Sequence, residues 1–66
     1  MKVRVNGEAR EFRDGLTLTE LVRELALERR PIAIERNLQV VPKDRYDAIR
    51  LAEGDRIEIV SLVGGG

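Results

Sequence analysis

The sequence predicts an α+β roll: a mixed sheet of about five strands with one main helix packed across it. Three observations predict it. An Asn-Gly pair joins two short alternating segments near the start, a capped amphipathic stretch follows at once, and the last apolar segment, "RIEIVSLV", alternates as a strand does. The first and last strands can then lie side by side at the centre of the sheet, with Ile57 and Ile59 facing the helix beside Val3 and Val5.

Residues 2 to 6, "KVRVN", place Val3 and Val5 on one face. Asn6-Gly7 favours the positive φ of a tight hairpin, and "AREFR" resumes as the second strand, with Phe12 its large apolar member. Thr17 and Glu20 have the spacing of a capping box, and Leu18, Leu21, Val22 and Leu25 recur at helical intervals. Pro31 disfavours helical geometry at Arg30, so the helix is expected to stop between Glu28 and Arg30. Glu20, Glu24 and Glu28 would then form an acidic row opposite the apolar face.

"IAIERNLQVVP" reads as a strand with Ile32 and Ile34 inward, a turn around Asn37 and a short strand at Val40 and Val41. Pro42 cannot donate to a ladder, which places that short strand at an edge. "KDRYDAIRLAEGD" reads as loop with a short helical turn, Tyr46 lying over the core rim, and Gly54 suits the turn into the last strand. The expected organisation is a single domain over residues 1–63 and a flexible glycine tail over residues 64–66.

Composition narrows the function. Sixty-six residues allow one modest core and leave no interior room for a substrate cavity. Twelve basic and twelve acidic residues balance, so no global field draws a nucleic acid or a lipid surface. Six basic residues between positions 29 and 50, Arg29, Arg30, Arg36, Lys43, Arg45 and Arg50, nevertheless outnumber Glu35, Asp44 and Asp47, a local excess suited to an acidic protein surface. No segment is long and apolar enough to span a membrane, and "MKVRVNGEAR" lacks the apolar centre of a secretory signal, so a cytoplasmic location is expected. The absence of cysteine and histidine removes thiolate and imidazole chemistry and the usual zinc ligands. No catalytic residue, no metal site and no bound cofactor are expected.

The stretch "SLVGGG" remains. By alternation Val60 and Leu62 point to the uncovered face of the sheet, where they form a candidate docking patch. Gly64, Gly65 and Gly66 form a tail that can thread a channel too narrow for any residue with a side chain, delivering the Gly66 carboxylate into a partner's active site. A carboxylate is inert as an acyl donor until adenylation by ATP supplies a leaving group that sulfur or nitrogen can displace. The chain has no phosphate-binding loop ahead of a helix, so ATP would be used by a separate activating enzyme.

Several pieces, in order, resemble the small sulfur-carrier proteins of thiamine biosynthesis, the ThiS family: "VNGE", "LTLTELVREL", "IAIERNLQVVPKDRY" and "EGDRIEIVSLVGGG". The resemblance covers essentially the whole chain. Its most diagnostic part is Asn37 followed by Val40, Val41, Pro42, Lys43 and Tyr46, with Lys43 and Tyr46 standing where Arg and Trp are also common. It implies a ubiquitin-like β-grasp fold. It further implies that Gly65 and Gly66 are the terminal diglycine, with Gly64 an additional glycine, and that Gly66 is adenylated by a ThiF-type enzyme and converted to a thiocarboxylate. The sulfur, provided by a donor system, would pass to the thiazole synthase ThiG. Two other readings share much of this chain's design. One is a carrier for molybdopterin, cysteine or tRNA thiolation, or a modifier ligated to lysines; the other is a non-covalent β-grasp interaction module, which would need no diglycine.

Overall fold

The computed structural model describes residues 1–63. Its elements run β1 (Lys2–Val5), β2 (Glu8–Glu11), α1 (Leu18–Glu24), β3 (Ile32–Arg36), β4 (Gln39–Val41), a 3₁₀ turn at Lys43–Arg45, and β5 (Arg56–Ser61). The strands form one sheet in the order β2-β1-β5-β3-β4. β1 and β5 are parallel, and the other neighbouring pairs are antiparallel. With α1 packed across this mixed sheet, the fold is β-grasp-like, as the sequence predicts.

Both hairpins turn on an asparagine. Asn6 and Gly7 have φ of 51° and 85°, and Asn37 and Leu38 have 50° and 71°, the positive pair of a two-residue hairpin loop. Each asparagine also reaches β5. The Ile59 amide donates to Asn6 Oδ1 at 2.7 Å, and the Arg56 amide donates to Asn37 Oδ1 at 2.9 Å. These side chains extend the ladder on either flank of β5 where the neighbouring backbone has turned away.

Asn37 Nδ2 in turn donates to Asp55 Oδ1 at 3.1 Å. Asp55 is a buried carboxylate that also accepts from the Ala52 amide and from Arg36 Nε, at 2.8 and 3.0 Å. Burial alone would raise its pKa. The hydrogen bonds from Ala52, Asn37 and Arg36, with the charge of Arg36, outweigh burial and hold the carboxyl below its ordinary value.

The core lies between α1 and the inner face of the sheet. Val3, Leu16, Leu18, Leu21, Ile34 and Ile57 are essentially solvent-free, each contributing about 1.5–3 kcal/mol of apolar burial. The predicted capping box is present, with Thr17 accepting from the Glu20 amide and Glu20 accepting from the Thr17 amide. That bond from the Thr17 backbone holds the Glu20 carboxyl low against a smaller opposing effect of burial. The segment after β4 straps over the start of α1: Leu18 donates to the Ile49 carbonyl and Leu51 to that of Leu16.

Two expectations need correction. The helix stops at Glu24, with Leu25 as its cap, rather than at Glu28 to Arg30. Ala26 takes φ of +59°, and the amides of Ala26 and Leu27 donate to the carbonyls of Arg23 and Val22, closing a Schellman cap that Pro31 did not signal. Glu28 therefore leaves the acidic row. Glu20 and Glu24 remain, and both pair with Arg13, at 3.1 and 3.6 Å. Tyr46, expected at the rim, is buried at 8% exposure, and burial pushes its phenol up against a smaller opposing hydrogen bond from the Ile34 backbone.

Two glycine substitutions should move stability in opposite directions. Ala26→Gly relieves a left-handed alanine and should stabilise by about 0.5–1 kcal/mol. Asn37→Gly keeps the turn dihedral but removes bonds to Arg56 and Asp55 and should cost about 1–2 kcal/mol. Urea denaturation of the two variants reads both signs, and a destabilised Ala26→Gly would contradict the assigned helix cap.

Candidate functional site: the bare sheet face and the end of β5

β5 alternates in burial. Ile57 is 1% exposed and Ile59 half-buried on the helix side, whereas Arg56, Glu58 and Val60 face away from it. The ladder continues past the strand, since the Leu62 amide donates to the Pro31 carbonyl at 2.8 Å. Val60 and Leu62 are 51% and 65% exposed. Val60 sits opposite Ala33 of β3, and Val40, also exposed, sits opposite Glu35 in the next strand pair. The two residues predicted as a docking patch are thus exposed on the uncovered face, and Val40 lies on the same face in the row of Glu35 and Glu58.

The charges on that face are sorted by position. Arg4 lies directly opposite Arg56, and Glu35 directly opposite Glu58. Like charges in register destabilise a sheet slightly. Along β5 the outward side chains run from basic, through acidic, to apolar as the strand approaches Leu62. Such a face is complementary to a surface of reversed charge order ending in an apolar contact.

Leu38 was not singled out as a candidate from the sequence. It is 80% exposed at φ of +71°, so a large aliphatic residue occupies both a strained backbone position and water. The signal was legible in comparing the two hairpins: Gly7 follows Asn6, but Leu38 follows Asn37. The expected reactive residue Gly66, and Gly64 and Gly65 before it, lie outside the described residues. Among the described residues no group of three or more Asp or Glu side chains is placed to hold a metal ion, and no helix is long and apolar enough to cross a membrane.

Comparison with known proteins adds an independent line. The ThiS family model matches residues 3–66. A thiazole synthase of Paramagnetospirillum magneticum is 44% identical over 66 residues, which are 100% of this chain and 20% of that protein. The chain therefore spans about a fifth of that relative's length. The sulfur carrier protein ThiS of Bacillus subtilis is 35% identical over 65 residues, covering 97% of this chain and 98% of that one. Among solved structures, the crystal structure of the thiamine biosynthesis protein ThiS from Geobacter metallireducens superposes with a TM-score of 0.87 at 29% identity, each chain covered completely.

If Val60 and Leu62 serve contact rather than packing, Val60→Ser combined with Leu62→Ser should change stability by no more than about 0.5 kcal/mol. Glu35→Lys should stabilise by about 0.2–1 kcal/mol, because it gives Glu58 an opposite charge across the strands and leaves Glu58 beside Arg4 and Arg56. Thermal or urea unfolding checks both. A loss above about 2 kcal/mol in the serine double variant would place those side chains in the core instead.

Proposed function

The chain belongs to the ThiS family of sulfur carriers, and we propose on that premise that it carries sulfur for thiazole formation on the main-chain carboxylate of Gly66. The observation that carries the proposal is a family match reaching residue 66, through all three glycines. The family consists of small carriers, not enzymes, and the interior here is filled by core side chains.

The chemistry follows from the weakness of a carboxylate as an acyl donor. One Gly66 carboxylate oxygen attacks the α-phosphate of ATP in the active site of a ThiF-type enzyme, releasing pyrophosphate and leaving an acyl-adenylate. A persulfide of the donor system then attacks the acyl carbon through its outer sulfur, AMP departs with its oxygen, and a thiol reduces the resulting acyl disulfide, leaving the thiocarboxylate on Gly66 and a disulfide on the donor side. Gly64 to Gly66, having no Cβ, place that carbon in a narrow site without steric cost. The exposed Val60 and Leu62 sit just before the tail and would hold the carrier's body against the partner. Burying a large aliphatic side chain contributes about 1.5–3 kcal/mol, enough for these two to anchor a transient complex.

The recipient we propose is a thiazole synthase of the ThiG type. Support comes from the 44% identity between this chain and a stretch of a protein that bears the name thiazole synthase. Carrier and recipient sequences within one polypeptide would be consistent with a direct transfer between them.

Incubation with ATP, a cognate adenylating enzyme and a sulfur donor should raise the intact mass by about 16 Da, the difference between oxygen and sulfur. Removal of Gly65 and Gly66 should abolish the shift. An unchanged mass, with an enzyme shown to activate its own carrier, would overturn the proposal. Rescue of a molybdopterin-carrier mutant but not of a thiamine-carrier mutant would redirect it to another pathway.

A further inference from the structure

The early end of α1 leaves space on the helix side of the molecule. The helix does not continue to Arg30. Instead the Schellman cap folds Leu27 back over Val22, and the Arg30 amide donates to the Leu27 carbonyl at 3.0 Å. A recess of about 170 Å³ opens between α1, the loop that follows it and the 3₁₀ turn.

Its floor is apolar, formed by Val22, Leu27, Ile32 and Tyr46. Its rim carries three exposed cations, Arg23, Arg30 and Lys43, against one carboxylate, Glu28. Thr19, also on the rim, is engaged by a hydrogen bond to Asp47. Among the described residues, Arg13 and Arg36 form ion pairs, but none engages these three cations. The structure thereby divides the basic stretch found in the sequence. Arg36 is bound to Asp55, and Arg50 Nη1 donates to the Gly15 carbonyl at 2.9 Å. Arg30 and Lys43, joined by Arg23 from the helix, converge on the recess.

Size selects the occupant. Pockets for drug-sized ligands measure about 300–1,000 Å³, so this one is too small for a nucleotide and suits a single aliphatic or aromatic side chain. Charge selects its surroundings, because three cations around an apolar floor favour carboxylates flanking that side chain. We propose that the recess docks an acidic segment of a partner protein, with one apolar residue seated between Leu27 and Tyr46 and its acidic neighbours on Arg23, Arg30 and Lys43. The site lies on the side of the sheet opposite Val60 and Leu62. It therefore leaves the bare face free, and it does not depend on the tail chemistry.

The test is an amide-resolved NMR titration of the full chain with a synthetic, terminally blocked peptide Glu-Asp-Leu-Asp-Glu. The expected result is saturable shifts centred on Val22, Leu27 and Tyr46, with a Kd of about 1 mM. Combined Arg30→Gln and Lys43→Gln should weaken binding about tenfold, corresponding to the loss of charge-assisted bonds. A peptide with glycine in place of leucine should bind about tenfold more weakly. Shifts spread evenly over the basic surface, equal binding of the glycine peptide, or the same shifts from inorganic phosphate alone would each overturn the proposal, as would no saturation by about 10 mM. Leu27→Ser, with its melting curve recorded beside the titration, separates loss of the floor from loss of the fold.

Discussion

The structure depends on one strand being held from both sides. β5 is paired with β1 through Arg56 and Ile57, and with β3 along five residue pairs. Where each neighbour turns away, an asparagine side chain takes over: Asn6 accepts from Ile59, and Asn37 accepts from Arg56. Asp55 then ties the entry of the strand to Arg36, Asn37 and Ala52. With both flanks satisfied, β5 cannot shift register without losing these bonds, and a shift of one residue would exchange its buried and exposed faces.

That fixed register gives the two faces of the sheet different duties. Ile57 enters the core with Val3 and Leu21, so the inner face is used in folding. On the outer face, Val60 and Leu62 are exposed, and like charges stand opposite one another in two strand pairs. Neither feature helps the isolated chain fold. Both become favourable when a partner covers the aliphatic groups and supplies opposite charges. In the proposed carrier function, the folded body is then a handle with a defined grip, and reactivity is confined to a main-chain carboxylate beyond it.

Much of this was legible in the sequence because local and global signals agree. Asn6-Gly7 specifies its hairpin by backbone preference alone, and Thr17 with Glu20 specifies the helix start by hydrogen bonding. The alternation of β5 assigns Val60 and Leu62 to the outer face. The helix end is not legible in the sequence, because it depends on an alanine at positive φ, which no propensity favours, and Pro31 is the more conspicuous stop. The second role of Asn37 was hidden for another reason: its side chain bonds to Asp55 and Arg56, residues far along the chain, and periodicity carries no such information. The recess beside Tyr46 is lined from α1, the loop after it, β3 and the 3₁₀ turn, and residue pattern along the chain does not reveal such a convergence.

The proposed carrier function requires a free main-chain carboxylate at Gly66 as the reactive group. It is tested most directly by semisynthesis of two otherwise identical proteins, one ending in the Gly66 acid and one in its amide, each offered to the activating enzyme with ATP and labelled pyrophosphate. Label should exchange into ATP with the acid and not with the amide, because the amide has no oxygen anion to attack the α-phosphate. Equal exchange with both proteins would contradict it.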